Sequence, residues 1–435
     1  MIYDLVLKNG EIYIDQCFLK KNIYINGEKI VRITDKILAS KKTIDCTDKL
    51  IMPGFIDPHV HFDLDLGEFS SRDDFYQGSK IAALGGVTTF IDFLDPILRN
   101  EDLEEVFRKR QSLAKKSLVD YSFHVTLGNF TDNITDLINQ AKILGLPSIK
   151  VFTTYSDSNR KIALNKLYEL IGDEILVLIH AEKDELITQA DEIFNYKNAR
   201  PWFSEYLQIL EIAGIAELKK GNVYFVHTTC GSAIQMVAEK FNHLLAQNKI
   251  IFESCPQYFY LNEEKYTEES SKLFLIAPPL RSKKEMIYLK SNIDHIQTIG
   301  TDHCAFTKKD KEKYDAVSKI PKGFGSIEYS FSLMYNIFGE KIIDYFTKNP
   351  AKIFGLYPQK GKIELDTDAD LVIFNPNKEF TIDSGHSNAD YSPYEGISLK
   401  GKVESTLLRG EVIVKDYNYV GQIKGNFLRR KYESN

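Results

Sequence analysis

The chain has 435 residues, enough for a large catalytic domain and a smaller second one. Hydrophobic residues make up 43% of the sequence and charged residues 27%, the balance of an ordinary soluble globular enzyme. A net charge of -6, with lysines interspersed among acidic residues, argues against a nucleic-acid partner.

The start of the chain and its cysteines predict the cellular compartment. The alternating pattern from Ile2 to Lys8 does not resemble a signal peptide, and no apolar run approaches the length of a membrane span. The five cysteines are dispersed and form no C-x-x-C pair, which is typical of free thiols in a reducing compartment. We therefore expect a cytoplasmic protein that does not enter a membrane.

Short β-strands are predicted at both ends of the chain. Residues 1–50 contain apolar runs rich in Ile, Val and Tyr, and the same texture returns from about Gly361 in the runs 369–374 and 403–414. The turn signals between these runs are Asn9-Gly10, Asn26-Gly27 and Arg409-Gly410. Both ends are therefore expected to form one small β-sandwich domain.

Between the two ends, eight apolar runs rich in β-branched residues alternate with helical patterns such as 102–118, 132–144 and 233–247. The runs are 55–61, 87–93, 119–126, 148–153, 175–180, 222–228, 250–254 and 296–302. Strands this uniformly apolar are buried on both faces, as in a parallel sheet covered by helices. Eight such units predict a (β/α)8 barrel of the TIM type.

A doubly wound open sheet is the alternative architecture, and the lack of a Gly-rich phosphate loop after the first run weighs against it. The predicted fold is of the α/β class. Residues 53–360 would form the catalytic barrel, while residues 1–52 and 361–435 would form the two parts of the β-sandwich domain, including the C-terminal tail.

Polar residues stand in or at the ends of five of these apolar runs. They are His59, His61, Lys150, His180, His227 and Asp302. His59 and His61 are two residues apart, so their side chains share one face of a strand. In a barrel the carboxyl ends of all strands meet at one mouth, where active sites lie. The six side chains are therefore expected to share one pocket.

Each of these residues also has a structural interpretation. A single histidine in an apolar strand is more often a satisfied core residue, and Lys150 alone would be a strand-end lysine reaching solvent. Two unpaired imidazoles are costly to bury, however, and chance does not readily place six such residues at strand ends. The histidines that lack this placement are interpreted as structural: His124, His243, His295, His303 and His386.

A lysine in such a pocket has a specific chemistry. Burial favours the neutral amine, and a neutral amine beside two divalent cations can capture carbon dioxide. The resulting carbamate would be an anionic ligand able to bridge metals roughly 3.5–4 Å apart. Imidazole and oxygen ligands suit zinc, although they also admit manganese, iron or cobalt. We predict two divalent metal ions, zinc as the first choice, with Lys150 N6-carboxylated.

Many segments of the chain resemble the motifs of the cyclic amidohydrolases, in the same order. They are 52–61 (MPGFIDPHVH), 73–75, 85–89, 148–155, 180–182, 253–258, 278–281, 300–304, 349–357 and 368–372. The resemblance covers essentially the whole chain and is strongest to the hydantoinase/dihydropyrimidinase branch of the amidohydrolase superfamily. Dihydroorotases usually carry an arginine shortly after the second histidine, whereas Phe62 and Asp63 follow His61 here.

The resemblance implies a role for each metal ligand. His59, His61 and Asp302 would hold one ion. His180 and His227 would hold the other, and carboxylated Lys150 would bridge the two.

It also implies the residues that act on the substrate. Tyr155 matches a tyrosine that donates to the developing oxyanion, and Asp302 would carry the proton from water to the leaving nitrogen. Ala277 and Lys322 stand where the branch has a serine and an asparagine that fix the substrate amide, largely through main-chain contacts. Because of these two differences, the resemblance does not identify which substrate ring the site prefers.

The implied reaction is the opening of a cyclic amide or imide of the hydantoin or dihydropyrimidine type to an N-carbamoyl amino acid. The partner would be this small molecule, and the resemblance implies a homo-oligomer, a dimer or a tetramer. Two alternatives stay open. One is another cyclic amidohydrolase, of the allantoinase or dihydroorotase type. The other is a non-catalytic dihydropyrimidinase-like scaffold, a class that tends to lose metal ligands.

Overall fold

The computed structural model describes residues 2–431. Its first fifty residues form short strands joined by tight turns. They are β1 (Tyr3–Lys8), β2 (Glu11–Ile14), β3 (Cys17–Lys20), β4 (Asn22–Asn26), β5 (Lys29–Thr34), β6 (Ser40–Asp45) and β7 (Leu50–Pro53). The turns fall at the predicted dipeptides, where Asn9 has φ 66° and Gly27 has φ 54°. Asn and Gly tolerate this left-handed conformation at the least cost.

Eight parallel strands follow and form the barrel. They are β8 (Phe55–Val60), β9 (Val87–Phe93), β10 (Asp120–Thr126), β11 (Ser148–Phe152), β12 (Leu176–His180), β13 (Val223–Phe225), β14 (Ile250–Ser254) and β15 (Thr298–Ile299). They pair in chain order, and a bridge between Val60 and His303 joins the segment that follows the last strand to the first strand. The predicted (β/α)8 barrel is confirmed.

Two barrel strands are much shorter than the apolar runs that predicted them. β13 stops at Phe225 and β15 at Ile299, before the polar residue that closes each run. The reason is local backbone conformation, because His227 and Asp302 have φ 38° and 52° and leave the extended region. Both side chains therefore project from loops at the mouth rather than from the strands themselves.

Helices surround the barrel. They are α1 (Phe75–Leu84), α2 (Asp102–Ala114), α3 (Ile134–Leu144), α4 (Leu164–Leu170), α5 (Tyr196–Ala199), α6 (Trp202–Lys219), α7 (Gly231–Lys240), α8 (Asn242–Ala246), α9 (Pro256–Tyr260), α10 (Lys283–Ser291), α11 (Lys308–Glu312), α12 (Ser330–Phe338), α13 (Ile343–Phe346) and α14 (Lys348–Ile353). The single helix expected over 233–247 is divided at Phe241. In residues 2–431 no helix has both the length and the apolar composition needed to cross a bilayer.

The C-terminal strands complete the small domain. They are β16 (Leu371–Thr381), β17 (Ser398–Leu408), β18 (Glu411–Lys415) and β19 (Asn418–Tyr419). One sheet has the order β5-β4-β1-β6, and the other, β19-β18-β17-β16-β7-β2-β3, contains strands from both chain ends. Buried aliphatic side chains such as Leu7, Ile25 and Ile373 fill one core of this domain. The expected domain built from both ends is confirmed.

The limits at residues 52/53 and 360/361 stay predictions, and residues 1 and 432–435 of the predicted domain lie outside the described part. The described end of the tail crosses the amino-terminal ends of barrel strands. Tyr121 N lies 3.0 Å from Asn426 O, and the Arg430 guanidinium is buried with its Nε 2.9 Å from Ser122 Oγ. The tail thus covers the end of the barrel opposite to the strand carboxyl ends.

Candidate active site

A cavity of about 830 Å³ opens at the carboxyl ends of the barrel strands. All six predicted metal ligands line it: His59, His61, Lys150, His180, His227 and Asp302. The barrel topology accounts for this convergence, because parallel strands in chain order bring their carboxyl ends to one mouth. The cavity thus brings together residues from five separate segments of the chain, as the sequence predicted.

The first group of ligands is formed by His59, His61 and Asp302. Nε2 of His59 and Nε2 of His61 lie 3.2 Å and 3.1 Å from Oδ1 of Asp302. One ligand atom from each residue lies within 4.8 Å of the other two. Two nitrogens and a carboxylate oxygen at this spacing can hold one divalent cation.

The second group is formed by His180, at the end of β12, and His227, which follows β13. Nδ1 of His180 lies 3.0 Å from Nε2 of His227. The ring of His227 is also 5.3 Å from the ring of His59, so the two groups adjoin. This spacing places a second pair of nitrogen ligands beside the first group.

Two buried glutamates fix the orientation of the imidazoles. Glu253 Oε1 lies 2.7 Å from Nδ1 of His59, and Glu182 Oε2 lies 2.7 Å from Nε2 of His180. A carboxylate at one ring nitrogen holds the proton there and leaves the other nitrogen facing the cavity, where it can bind a cation. Both glutamates fall within the segments of family resemblance, but the sequence analysis gave them no role. A charged residue in or beside a uniformly apolar strand is the signal that could have identified them.

Lys150 is buried rather than extended to solvent. Its side chain lies between aromatic rings, with Nζ 5.4 Å from the centroids of both Phe93 and Phe152. Burial lowers the pKa of the Lys150 ammonium to about 7. A substantial neutral fraction, which carbamate formation requires, is therefore present near neutral pH.

The electrostatics of the imidazoles differ between the two groups. Burial alone lowers the pKa of His59, but the nearby carboxylates of Glu253 and Asp302 raise it to about 9. Burial lowers the pKa of His180 to about 4. A cation that replaces the proton on His59 would release that proton, whereas His180 is already neutral.

Three residues at the mouth have a left-handed backbone conformation that is unfavourable for side chains other than glycine. Tyr155, His227 and Asp302 have φ 71°, 38° and 52°. Such conformations cost of order 1–3 kcal/mol each and cluster at functional sites. The surrounding structure therefore holds these three side chains in place against a local cost.

The three predicted substrate contacts, Tyr155, Ala277 and Lys322, line the same cavity. The Tyr155 ring lies 5.3 Å from the ring of His180. The Lys322 ammonium donates to two carbonyl oxygens of its own loop, 2.6 Å from Val317 O and 3.2 Å from Ser318 O. It therefore braces this loop and contributes a positive charge to the cavity wall.

Two observations show that these residues fit a pair of divalent cations. The bonds to the two glutamates leave one ring nitrogen of His59 and one of His180 facing the cavity. Lys150 is also buried beside these imidazoles, and burial lowers the pKa of its ammonium to about 7. A set of four imidazoles, a carboxylate and a deprotonatable lysine is a donor set that suits zinc.

Histidines that were interpreted as structural have bonds outside this ligand set. His124 lies 2.7 Å from Ser148 Oγ and 3.0 Å from Pro58 O through its two ring nitrogens. Nε2 of His303 lies 2.9 Å from Asp73 Oδ2. These contacts satisfy the rings within the fold, which agrees with a structural role.

The chain is similar to amidohydrolases, and in particular to hydantoinases and dihydropyrimidinases, in both sequence and structure. The sequence model of the amidohydrolase family matches residues 50–413. D-hydantoinases from Ralstonia pickettii and Geobacillus stearothermophilus are 30% and 31% identical to the chain; the alignments cover 99% and 96% of this chain, and 100% and 94% of those proteins. The solved dihydropyrimidinase from Brevibacillus agri superposes with a TM-score of 0.91 at 28% identity and 98% coverage of both chains. The similarity thus includes the small domain as well as the barrel.

Proposed function

The chain belongs to the amidohydrolase family, in its hydantoinase branch, and we propose that it opens a cyclic amide or imide of the hydantoin or dihydropyrimidine type to an N-carbamoyl amino acid. It is a hydrolase of carbon–nitrogen bonds in cyclic amides. One observation carries the proposal: six candidate metal ligands and Tyr155 meet in one cavity of a chain similar to hydantoinases over its whole length.

We further propose that the site holds two divalent metal ions, zinc in the first place. His59, His61 and Asp302 would bind one ion and His180 and His227 the other, with Lys150 N6-carboxylated between them. When bound, such ions acidify a water molecule and polarise the substrate carbonyl. The buried amine of Lys150, with its pKa near 7, supports its carboxylation.

Asp302 would carry the proton. Its carboxylate lies at the mouth beside His59 and His61, where it can take a proton from the attacking water and return it to the leaving nitrogen. A carboxylate is suited to both transfers because it is a base when ionised and an acid once protonated. The amide Asp302→Asn cannot accept that proton.

Tyr155 would stabilise the developing oxyanion. Burial raises the pKa of its phenol, so the hydroxyl stays protonated near neutrality and can donate a hydrogen bond. A donor of this kind contributes about 3–4 kcal/mol to the transition state. Ala277 and Lys322 would contact the ring from the other loops of the cavity.

The test is a panel of ring-opening assays with hydantoin, dihydrouracil, allantoin and dihydroorotate, with Asp302→Asn as the inactive control. We expect turnover of hydantoin or dihydrouracil and its loss in the variant. Turnover of allantoin or dihydroorotate alone would favour the alternative cyclic amidohydrolases. No turnover by protein that holds two metal ions would contradict the proposal and favour the scaffold.

We also propose that the enzyme acts in the cytoplasm as a homo-oligomer, a dimer or a tetramer. All five cysteines are free thiols, which suits a reducing compartment. The oligomer is supported by the family resemblance alone, and light scattering coupled to size-exclusion chromatography measures it directly. A monomeric mass at assay concentration would contradict this part of the proposal.

A further inference from the structure

Arg200, in the connection between α5 and α6, contacts Tyr155 directly at the edge of the cavity. Its Nη2 lies 3.1 Å from the Tyr155 hydroxyl oxygen, and its guanidinium carbon lies 4.9 Å from the centroid of the Tyr155 ring. The Arg200 side chain is only 10% exposed. The tyrosine is therefore held both at its hydroxyl and across its ring face.

This contact fixes the direction in which the phenol can donate. A guanidinium carries donors only, so the Tyr155 oxygen must be the acceptor of the bond from Arg200. The single proton of the hydroxyl then has to point elsewhere, and the side chain borders the cavity. Because the backbone of Tyr155 is in the left-handed region, with φ 71°, a tertiary contact is needed to keep its side chain in place.

The same guanidinium also bonds the glutamate that orients His180. Nη2 of Arg200 bonds Oε2 of Glu182, and its Nε lies 3.3 Å from Oε1. Glu182 is fully buried and lies 2.7 Å from Nε2 of His180. The rigid guanidinium group of Arg200 thus connects Tyr155 to Glu182, the carboxylate that bonds the candidate metal ligand His180.

Arg200 is itself held in place by a second buried arginine, Arg281. Its backbone oxygen accepts a 2.5 Å bond from Nη1 of Arg281, and Nη2 of Arg281 lies 3.0 Å from Glu205 Oε2. Arg281 and Glu205 are both buried. A side chain anchored in this way loses little freedom when it positions a neighbour.

We propose that Arg200 is a positioning residue for the hydrolysis of cyclic amides: it holds the Tyr155 phenol with its O–H directed at the reacting carbonyl. The inference rests on the proposed function, because it concerns the same site. Arg200 acts through Tyr155, so its contribution to turnover exists only while the Tyr155 hydroxyl is present. A merely structural ion pair with Glu182 would contribute equally with or without that hydroxyl.

The test is a double-mutant cycle with Arg200→Gln and Tyr155→Phe, assayed at saturating metal. Arg200→Gln is expected to lower kcat about 10- to 100-fold with KM within about threefold, and to cost less than about threefold in the Tyr155→Phe background. The matched control is Arg72→Gln, which removes another arginine–carboxylate pair, with Asp310, and is expected to keep kcat within about twofold. An equal loss in both backgrounds, or no loss in either, overturns the inference.

Arg200→Lys serves as the second variant if the glutamine variant does not fold. Lysine keeps a cation for Glu182 but lacks the fork that also reaches Tyr155, so its loss should depend on Tyr155 in the same way. Thermal unfolding of each variant identifies a folding defect.

A spectroscopic readout keeps this test separate from a failure of the proposed function. In protein labelled with 13Cζ-tyrosine, the resonance that is missing from Tyr155→Phe belongs to Tyr155. We expect it to shift in Arg200→Gln and not in Arg72→Gln, whether or not any substrate is turned over. An unmoved resonance overturns the inference, while a wild type without turnover contradicts the proposed function alone.

Discussion

In the proposed reaction, the Tyr155 hydroxyl stabilises the transition state. Removing this hydroxyl in Tyr155→Phe should lower kcat about 10²- to 10³-fold, because one oxyanion donor is lost, and leave KM within about threefold. Steady-state kinetics on the best ring substrate measure both constants. Tyr314→Phe is the control, since Tyr314 lines the same cavity but its hydroxyl bonds Glu68. A variant with normal kcat would remove Tyr155 from the mechanism.

The charge of Lys322 should make the substrate preference depend on pH. Burial, followed by the charge of Arg200, lowers the pKa of its ammonium to about 8. Lys322 is therefore a cation below pH 8 and loses its charge above it. The KM for dihydroorotate, which carries a carboxylate, should rise relative to that for neutral dihydrouracil between pH 7 and pH 9. In Lys322→Asn this ratio should be flat, and a flat ratio in the wild type would exclude the effect.

At the scale of single residues, the sequence predicted which side chains line the cavity better than which side chains support them. His59, His180 and Asp302 could be found because strand ends converge in any parallel barrel. Arg200 could not, since it reaches the cavity from the connection between two helices, whose path no periodic pattern determines. Its contact with Tyr155 exists only in the folded chain.

Among the elements, β14 supports the candidate metal ligands in addition to forming part of the barrel wall. Its Glu253 binds Nδ1 of His59 at 2.7 Å, the backbone N of His227 at 2.8 Å and the hydroxyl of Tyr224 at 2.7 Å. One carboxylate thus serves both ligand groups.

Glu253→Gln should reduce metal affinity about 10- to 100-fold, because supports of this kind fix the orientation and basicity of a ligand. Metal retention during titration with a chelator measures this. The control is Glu285→Gln, another buried carboxylate, which bonds Ser232 instead and should retain metal as the wild type does. Equal retention in Glu253→Gln and the wild type would contradict this role of β14.

Apolar runs predicted the barrel strands because burial on both faces leaves an unbroken pattern. Strand ends were less predictable: β13 and β15 stop early where His227 and Asp302 take positive φ values. The division of the helix at Phe241 was also missed. Both differences depend on local backbone conformation, which hydrophobic periodicity does not report.

At the scale of the whole molecule, a buried charge cluster joins the barrel to the segment that leads into the small domain. Nζ of Lys360 lies 2.6 Å from Asp120 Oδ2 and 2.6 Å from Asp370 Oδ2, and Arg409 also pairs with Asp120. The first strand residue of β10 is thereby fixed to the chain just before β16. All four side chains are buried.

Lys360→Met should destabilise the protein by about 3–5 kcal/mol, because it leaves buried carboxylates without a cation between them. Thermal and urea unfolding measure the loss. Lys29→Met is the matched control: Lys29 pairs with Asp368 at 2.7 Å but is 41% exposed, so its removal should cost less than about 1 kcal/mol. Similar stabilities for the two variants would show that the charge cluster does not hold the barrel to the segment that leads into the small domain.

The composition of the chain ends predicted that they share one domain, since both repeat the same short-strand texture. The pairing of β7 with β16 confirms this. The path of the tail under the barrel was not predictable in the same way. It depends on individual backbone bonds, such as Leu428 N to Tyr121 O, that have no sequence signature.

Metal content is the first property to measure for the proposed two-metal site with carboxylated Lys150. Wild type and Lys150→Ala would be purified without chelator, with bicarbonate present, and analysed by elemental spectrometry. We expect close to two divalent ions per chain in the wild type, mainly zinc, and a large loss in the variant. Full occupancy without Lys150, or no metal in the wild type, would contradict it.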